Sequence, residues 1–230
     1  MSQKKTILIT GVTGNLGSAV AKRYLEAGYT VFGIARREKR LEFSGEAFHF
    51  ITADLSKESE ARAAVDKAIQ DSAGFDVAVL TAGGFAPGGI ASMDANSLHH
   101  MMQINFETAV NVARPLFEQM QKSGEGRLYL TGASTAINIK NAKGAAAYGL
   151  SKSLVFRLAE LLNAEATDSS VFTGVIAPSI IDTPANRDAM PDADFTQWEQ
   201  PNDIAETIFL HSQREIDHSH ENVIKDFRQS

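Results

Sequence analysis

The chain has 230 residues, no cysteine and a formal net charge of -6 at pH 7. Zero cysteines exclude disulfides and thiolate metal sites, and an acidic chain without a long basic run is unsuited to nucleic acid or an anionic membrane surface. The first residues lack the long apolar segment of a signal peptide, so we expect a cytoplasmic protein that acts on a small molecule.

Runs of β-forming residues alternate with amphipathic helical stretches along the chain. Strands are predicted at 6–10, 30–35, 48–52, 76–81, 127–131 and 171–177. Helices are predicted after the first strand and at about 56–73, 95–122 and 147–166. This alternation predicts an α/β fold, a single-domain doubly wound parallel sheet (a Rossmann fold) with helices on both faces. No linker or repeat divides residues 1–230.

Three glycines separate the first strand from the first helix. Gly11, Gly14 and Gly17 have the spacing G-x-x-G-x-x-G. Glycines at such a junction allow positive φ and the close approach of a ligand, and the helix N-terminus presents unpaired N–H groups to an anion such as a dinucleotide pyrophosphate. The spacing differs from the common G-x-G-x-x-G, so the motif alone leaves both a nucleotide loop and a structural turn open.

The end of the second predicted strand bears on the choice of dinucleotide. An acidic residue there usually binds the ribose 2′-OH of NAD, whereas an arginine accommodates the 2′-phosphate of NADP. Ala35 occupies the acidic position, and Arg36 and Arg37 follow it. These residues favour NADP(H) over NAD(H), with a solvated basic turn as the alternative.

A tyrosine and a lysine lie one helical turn apart in the second half of the chain. Tyr148 and Lys152 share one helix face, so the ammonium can lie near the phenol. They follow the predicted fifth strand, with "MQINFETA" upstream and "APSIIDTP" downstream. Together with the glycine loop, these stretches resemble the short-chain dehydrogenase/reductase family over essentially the whole chain.

The resemblance implies an oxidoreductase that transfers hydride from a nicotinamide cofactor to a carbonyl or quinonoid acceptor. Tyr148 would be the general acid, Lys152 would contact the nicotinamide ribose, and Asn105 would hold a proton-relay water. An ammonium about 4 Å away would supply roughly the 4 kcal/mol needed to bring a tyrosine pKa from ~10 to about 7. We also expect a homodimer or homotetramer.

The serine of the family's catalytic set is displaced in this sequence. Counting along the fifth strand places it at Ala133, whereas counting back from Tyr148 places it at Thr135, with Ser134 between them. A two-residue insertion at 136–147 would reconcile the counts and make Ala133 the equivalent residue. Ser134 is retained as a candidate catalytic hydroxyl, and the alternative is that it only ends the strand.

The resemblance also implies cofactor contacts at the carboxyl ends of the predicted strands. Asp54 would meet the adenine, and Ile181 with Thr183 would hold the carboxamide. Thr81 and Ser179 depart from the family's Asn-Ala-Gly and Pro-Gly patterns. The predicted cofactor-binding set is Gly11, Thr13, Gly14, Asn15, Leu16, Arg36, Arg37, Asp54, Leu55, Ala82, Gly83, Gly84, Asn105, Tyr148, Lys152, Pro178, Ile181 and Thr183.

Residues 184–201 are predicted to form a loop that closes over the substrate, with Phe195 and Trp198 as candidate contacts; an ordinary surface connection is the alternative. This stretch, "VAVLTAGGFAPGG" and the missing serine resemble the quinonoid dihydropteridine reductase branch of the family. A 3-oxoacyl or small-ketone reductase, an epimerase or dehydratase of the same superfamily, and a non-catalytic dinucleotide sensor or scaffold are the alternatives.

The histidines are predicted to be solvated or structural. His99 and His100 are adjacent and therefore point to different faces of a helix, and His218 and His220 lie in a polar tail without ligand partners at metal-binding spacing. No metal site is therefore predicted. Whether residues 222–225 form a seventh strand is left open.

Overall fold

The sheet is parallel throughout and is ordered β3-β2-β1-β4-β5-β6-β7. A computed structural model of the protein describes residues 5–166, 169–215 and 222–225. The strands are β1 Thr6–Thr10, β2 Thr30–Ala35, β3 Phe48–Thr52, β4 Val77–Leu80, β5 Glu125–Thr131, β6 Ser170–Ile176 and β7 Val223–Ile224. The predicted doubly wound parallel sheet is confirmed, and the short β7 answers the open question about a seventh strand.

Helices cover both faces of the sheet. They are α1 Asn15–Glu26, α2 Glu58–Ser72, α3 Ala95–Met101, α4 Thr108–Ser123, α5 Ser134–Ile137, α6 Ala146–Glu165, α7 Pro184–Ala189 and α8 Pro201–Ser212. Ile7 and Ile9 of β1 pack towards α1 and α8, whereas Leu8 packs towards α2, α4 and α6. Burial on both faces explains why the parallel strands read as continuous apolar runs.

The strand order places a crevice between β1 and β4. The chain runs outward from β1 through β2 to β3, then returns to β4 on the other side of β1. In an open parallel sheet, ligands bind beyond the carboxyl ends of the strands at such a reversal. The glycine loop follows β1 and the "TAGG" turn follows β4, so the two face each other across the crevice.

The helix predicted at 95–122 is interrupted by a wider turn. Between α3 and α4, Met102–Glu107 forms a π-helical segment that contains the buried Asn105. Extra residues of this kind are common at functional sites because they re-aim one side chain without breaking the helix. The spacing of apolar residues along an amphipathic helix does not reveal such a local insertion, so the sequence predicted one uniform helix.

The segment predicted as a loop at 184–201 has regular structure. It contains α7 and a 3-10 turn at Phe195–Gln197, and its end pairs with the chain before it through an Ile181–Glu199 bridge. His218 and His220 lie outside the described residues. Among the described residues, none of the helices is both long and apolar enough to cross a membrane.

Candidate active site

The three glycines of the opening loop have different roles. Gly11 has φ +66°, and its N–H donates a 2.8 Å hydrogen bond to the carbonyl of Ile34. A Cβ at Gly17 would lie 2.4 Å from the carbonyl oxygen of Gly11, so this glycine lets α1 pack on the turn. Gly14 is the N-cap of α1 and supplies no side-chain cap. The N-terminus of α1 is therefore open to an anion.

The ends of β1 and β4 are joined by a reciprocal pair of threonines. The Thr81 hydroxyl donates a 2.6 Å hydrogen bond to the carbonyl of Thr10, and the Thr10 hydroxyl accepts from the N–H of Ala82 at 3.1 Å. Thr81 Oγ1 also fills the space beneath Gly17, 2.8 Å from where a Cβ would lie. The residue that departs from the family pattern thus sets the spacing between the two loops.

Tyr148 and Lys152 lie on α6, as their spacing predicted. The Lys152 ammonium, however, is bonded to a backbone carbonyl and lies farther from the phenol than expected. Lys152 is 5% exposed, and its Nζ donates a 2.7 Å hydrogen bond to the carbonyl of Thr131. The same Nζ lies 5.9 Å from the centre of the Tyr148 ring. Burial raises the pKa of Tyr148 to about 12 and lowers the pKa of Lys152 to about 8. The raised pKa of Tyr148 has burial as its cause, with no lowering from the Lys152 ammonium, so the structure does not show the shift expected for Tyr148.

Asn105 joins three parts of the site through its side-chain amide. Its Oδ1 accepts from the N–H of Gly84, and its Nδ2 donates to the carbonyl of Gly84, both at 3.0 Å. Nδ2 also donates to the hydroxyl of Ser151 at 3.1 Å, and that hydroxyl donates to the carbonyl of Tyr148 at 2.8 Å. Ser151 was not singled out in the sequence, although its place three residues after Tyr148 on one helix face was the available signal.

Ser134, the candidate catalytic serine, lies beside the segment that follows β6. Ala133 is 4% exposed and precedes α5, and Ser134 begins that helix. The N–H of Ser134 donates a 2.9 Å hydrogen bond to the carbonyl of Pro178. Thr135 Oγ1 is buried without a hydrogen-bond partner in the described part of the chain. These contacts tie the Ser134 backbone to the predicted carboxamide-binding segment.

An exposed aromatic ring stands against Tyr148 and was missed in the sequence. Phe85 is 63% exposed, and its ring centre lies 5.1 Å from that of Tyr148 in an edge-to-face arrangement. The turn that carries Phe85 is held on one side by Asn105 and on the other by Gly88, whose N–H donates to the carbonyl of Gly144 at 2.7 Å. The ring is thus presented to solvent by a fixed backbone.

The adenine end of the predicted site is built from β2, β3 and the turns that follow them. Hydrogen bonds from Ser56 lower the pKa of Asp54, and the charge of Arg36 contributes in the same direction. Arg36 and Arg37 are both exposed. Asn111 of α4 donates a 3.0 Å hydrogen bond to the carbonyl of Leu55 and so holds the turn after β3.

The segment predicted to bind the carboxamide follows β6. The Thr183 hydroxyl accepts from the N–H of Asn186 at 3.2 Å, and the Asn186 side chain donates to the carbonyl of Ile181 at 2.8 Å. Trp198 is only 7% exposed and its ring centre lies 4.7 Å from that of Phe195. Trp198 is therefore not presented as the open substrate contact that the sequence suggested.

The residues present fit a dinucleotide. The N-terminus of α1 lacks a side-chain cap at Gly14. A Cβ at Gly83 would lie 2.6 Å from Asn105 Oδ1 and 3.5 Å from Lys152 Nζ, so Asn105 packs directly on this glycine and brings the turn after β4 close to Lys152. Around the crevice lie the loop and first turn of α1 (Gly11, Thr13, Gly14, Asn15, Leu16), the turn after β4 (Ala82, Gly83, Gly84), α6 (Tyr148, Lys152) and the segment after β6 (Pro178, Ile181, Thr183).

Comparison with known proteins finds one family model and several reductases that match most of the chain. The family model described as short chain dehydrogenase matches residues 5–194. Dihydropteridine reductase of Dictyostelium discoideum is 32% identical over 210 residues, covering 89% of this chain and 86% of that protein. Acetoacetyl-CoA reductase of Acinetobacter sp. is 28% identical over 193 residues, covering 80% of this chain and 77% of that protein.

Solved structures share the fold at lower identity. The structure of ElxO with NADP bound has a TM-score of 0.86 and 20% identity, and the match covers 96% of this chain and 95% of that chain. NAD+-bound xylitol dehydrogenase has a TM-score of 0.84 and 18% identity, with 97% of each chain covered.

Proposed function

The chain belongs to the short-chain dehydrogenase family and is an oxidoreductase of that family, and we propose that it transfers hydride from NADPH to a carbonyl or quinonoid acceptor, with Tyr148 donating the proton. The observation that carries this proposal is the placement of Tyr148 and Lys152 on one face of α6, with Lys152 Nζ close to Gly83 of the turn after β4. A non-catalytic sensor would have no use for this arrangement.

The proposed chemistry divides between two side chains. A bound NADPH supplies the hydride. The raised pKa of Tyr148, about 12, keeps its hydroxyl protonated at neutral pH, so it can donate a proton to the acceptor oxygen or nitrogen. Lys152, with a pKa of about 8, is mostly an ammonium at neutral pH and stabilises the tyrosinate that forms. In this proposal Asn105 and Ser151 hold the turn over which the cofactor passes.

Cofactor preference is proposed from the end of β2. Ala35 offers no carboxylate to a ribose 2′-OH, while the exposed Arg36 and Arg37 can contact a 2′-phosphate through charge-assisted hydrogen bonds. The pKa of Asp54 responds to Arg36, which supports an arginine side chain near the adenine end. We therefore propose NADP(H) in preference to NAD(H).

The acceptor is proposed to be flat and conjugated, such as a quinonoid dihydropterin. Support comes from the dihydropteridine reductase relative, from Ala133 at the serine position, and from the exposed Phe85 ring beside Tyr148. An electron-poor quinonoid acceptor needs less hydroxyl positioning than a ketone does. Stacking on Phe85 would add about 0.5–1.5 kcal/mol beyond burial. The acetoacetyl-CoA reductase relative favours a 3-oxoacyl thioester as the second candidate.

The test is NADPH oxidation by the purified chain with a quinonoid dihydropterin, a quinone, acetoacetyl-CoA and small ketones. We expect the dihydropterin or quinone to have the highest kcat/KM, and Phe85→Leu to raise its KM while leaving the KM for NADPH unchanged. A higher kcat/KM for acetoacetyl-CoA would replace the proposed acceptor with the second candidate. We further propose that residues 1–230 form one domain of a cytoplasmic homodimer or homotetramer, for which light scattering gives the oligomeric state.

A further inference from the structure

Residues 182–200 are termed the strap. The carboxylate of Asp182, at the start of the strap, accepts hydrogen bonds from residues in its middle and at its end. Asp182 accepts hydrogen bonds from Nε and Nη2 of Arg187 at 2.6 and 2.7 Å and from the side-chain amide of Gln200 at 2.8 Å. The Asp182 side chain is 7% exposed. These hydrogen bonds lower the pKa of Asp182 to about 2, and the contribution from Arg187 is the largest. The carboxylate therefore stays ionised at physiological pH.

The contacts of Arg187 extend from this carboxylate to the aromatic end of the strap. Its guanidinium carbon lies 4.7 Å above the centre of the Phe195 ring. Phe195 in turn packs against the buried Trp198, with 4.7 Å between ring centres. A planar guanidinium can make a bidentate pair and a ring contact together, which an ammonium cannot. One arginine therefore joins Asp182 to the aromatic pair.

The same carboxylate belongs to the turn assigned to the carboxamide. The N–H of Asp182 donates to the carbonyl of Glu199 at 2.8 Å, and the N–H of Glu199 donates to the carbonyl of Ile180 at 2.8 Å. The backbone on either side is held by Asn186, through the carbonyl of Ile181 and the hydroxyl of Thr183. A displacement of Asp182 would therefore move both proposed carboxamide contacts.

We propose that Asp182 and Arg187 are positioning residues whose ion pair makes the 181–183 turn and the Phe195–Trp198 pair one rigid unit, so that the cofactor and the acceptor bind cooperatively. The inference rests on the proposed function, because it assigns nicotinamide to the 181–183 turn. With the ion pair intact, the turn is preorganised and the ordering cost of binding is low. Without the ion pair, the binding of each ligand must itself order the strap, and this cost weakens the affinity for that ligand.

Trp198 provides a direct probe, since it is the only tryptophan in the sequence. The experiment compares the intact wild-type chain with Asp182→Asn and Arg187→Gln, and uses Asp192→Asn as a control that removes the same charge at an exposed site in the strap. The readouts are Trp198 emission, acrylamide quenching of that emission, the Kd for NADPH, and kcat and KM for the best acceptor.

For Asp182→Asn we expect a red-shifted Trp198 emission, stronger quenching, and increases of about tenfold in both the Kd for NADPH and the KM for the acceptor, the scale of a lost charge-assisted bond. The kcat at saturation should stay within about twofold, which a general loss of folded enzyme would not produce. Arg187→Gln should give the same pattern, and because Arg187 is 51% exposed it tests the pair with less risk to folding.

The proposal is overturned if either strap variant binds NADPH as tightly as the wild type with unchanged emission, or if Asp192→Asn produces the same changes. Failure of the proposed function gives a different result. If the wild type binds NADPH but reduces none of the acceptors, the acceptor assignment fails while the NADPH and emission measurements still decide the role of the ion pair.

Discussion

The Nζ atom of Lys152 donates a hydrogen bond to the carbonyl oxygen of Thr131, 2.7 Å away, at the end of β5. One backbone carbonyl is a weak substitute for bulk water around an ammonium that is 5% exposed. The charged form of Lys152 is therefore disfavoured, and its pKa falls to about 8.

This lowered pKa predicts the pH dependence of the reaction. Lys152 is an ammonium below about pH 8 and loses its proton above it. Tyr148, with a pKa of about 12, remains protonated over this range. We expect kcat/KM for NADPH, which reports groups of the free enzyme, to be level below pH 8 and to fall above it. In Lys152→Arg, which keeps its charge, the falling limb should move beyond pH 9. If kcat/KM falls at the same pH in both proteins, Lys152 is not the group that causes the fall.

Removing the Tyr148 hydroxyl should abolish proton donation without removing the binding site. Tyr148→Phe should lower kcat by about 10²-fold or more, the usual scale for a lost general acid. NADPH titration and thermal unfolding serve as controls, and both should match the wild type because the ring and its contact with Phe85 remain. Equal turnover by the two proteins would rule out Tyr148 as the acid.

Cofactor preference can be tested at the end of β2. Arg36→Ala should weaken NADPH binding by about ten- to a hundredfold, because a charge-assisted hydrogen bond contributes roughly 1.5–3 kcal/mol. NADH binding should stay within about twofold. Arg40→Ala, in the same exposed basic turn, should affect neither cofactor. A wild-type chain that binds NADH more tightly than NADPH would show that Arg36 has no such role.

Two glycines of the opening loop should respond differently to alanine. Gly17→Ala places a Cβ 2.4 Å from the backbone oxygen of Gly11 and should cost about 1–3 kcal/mol in the free energy of unfolding. Gly14→Ala meets only that oxygen, at 3.2 Å, and should cost under about 1 kcal/mol. Urea unfolding of both variants measures the difference. Equal losses would show that the tight contact at Gly17 relaxes freely.

Much of the fold was predictable from the sequence because local rules govern it. The strand boundaries agree with the sheet to within two residues, since a parallel strand buried on both faces is a continuous apolar run. The i,i+4 spacing placed Tyr148 and Lys152 on one helix face. The sequence did not predict the π-helical turn at Asn105, because a single extra residue hardly alters the apolar periodicity.

The sequence by itself thus determined the strands and most of the helices, the glycine turn and the Tyr148–Lys152 pair, all of which depend on residues close together in the chain. Only the tertiary structure decided that Phe85 meets Tyr148, that Asn105 reaches Gly84 and Ser151, and that Trp198 is buried. Those contacts join residues far apart in sequence, so they depend on how helices and loops pack over the sheet. The pKa shifts belong to the same class, because burial is a property of the packed fold and not of the residue.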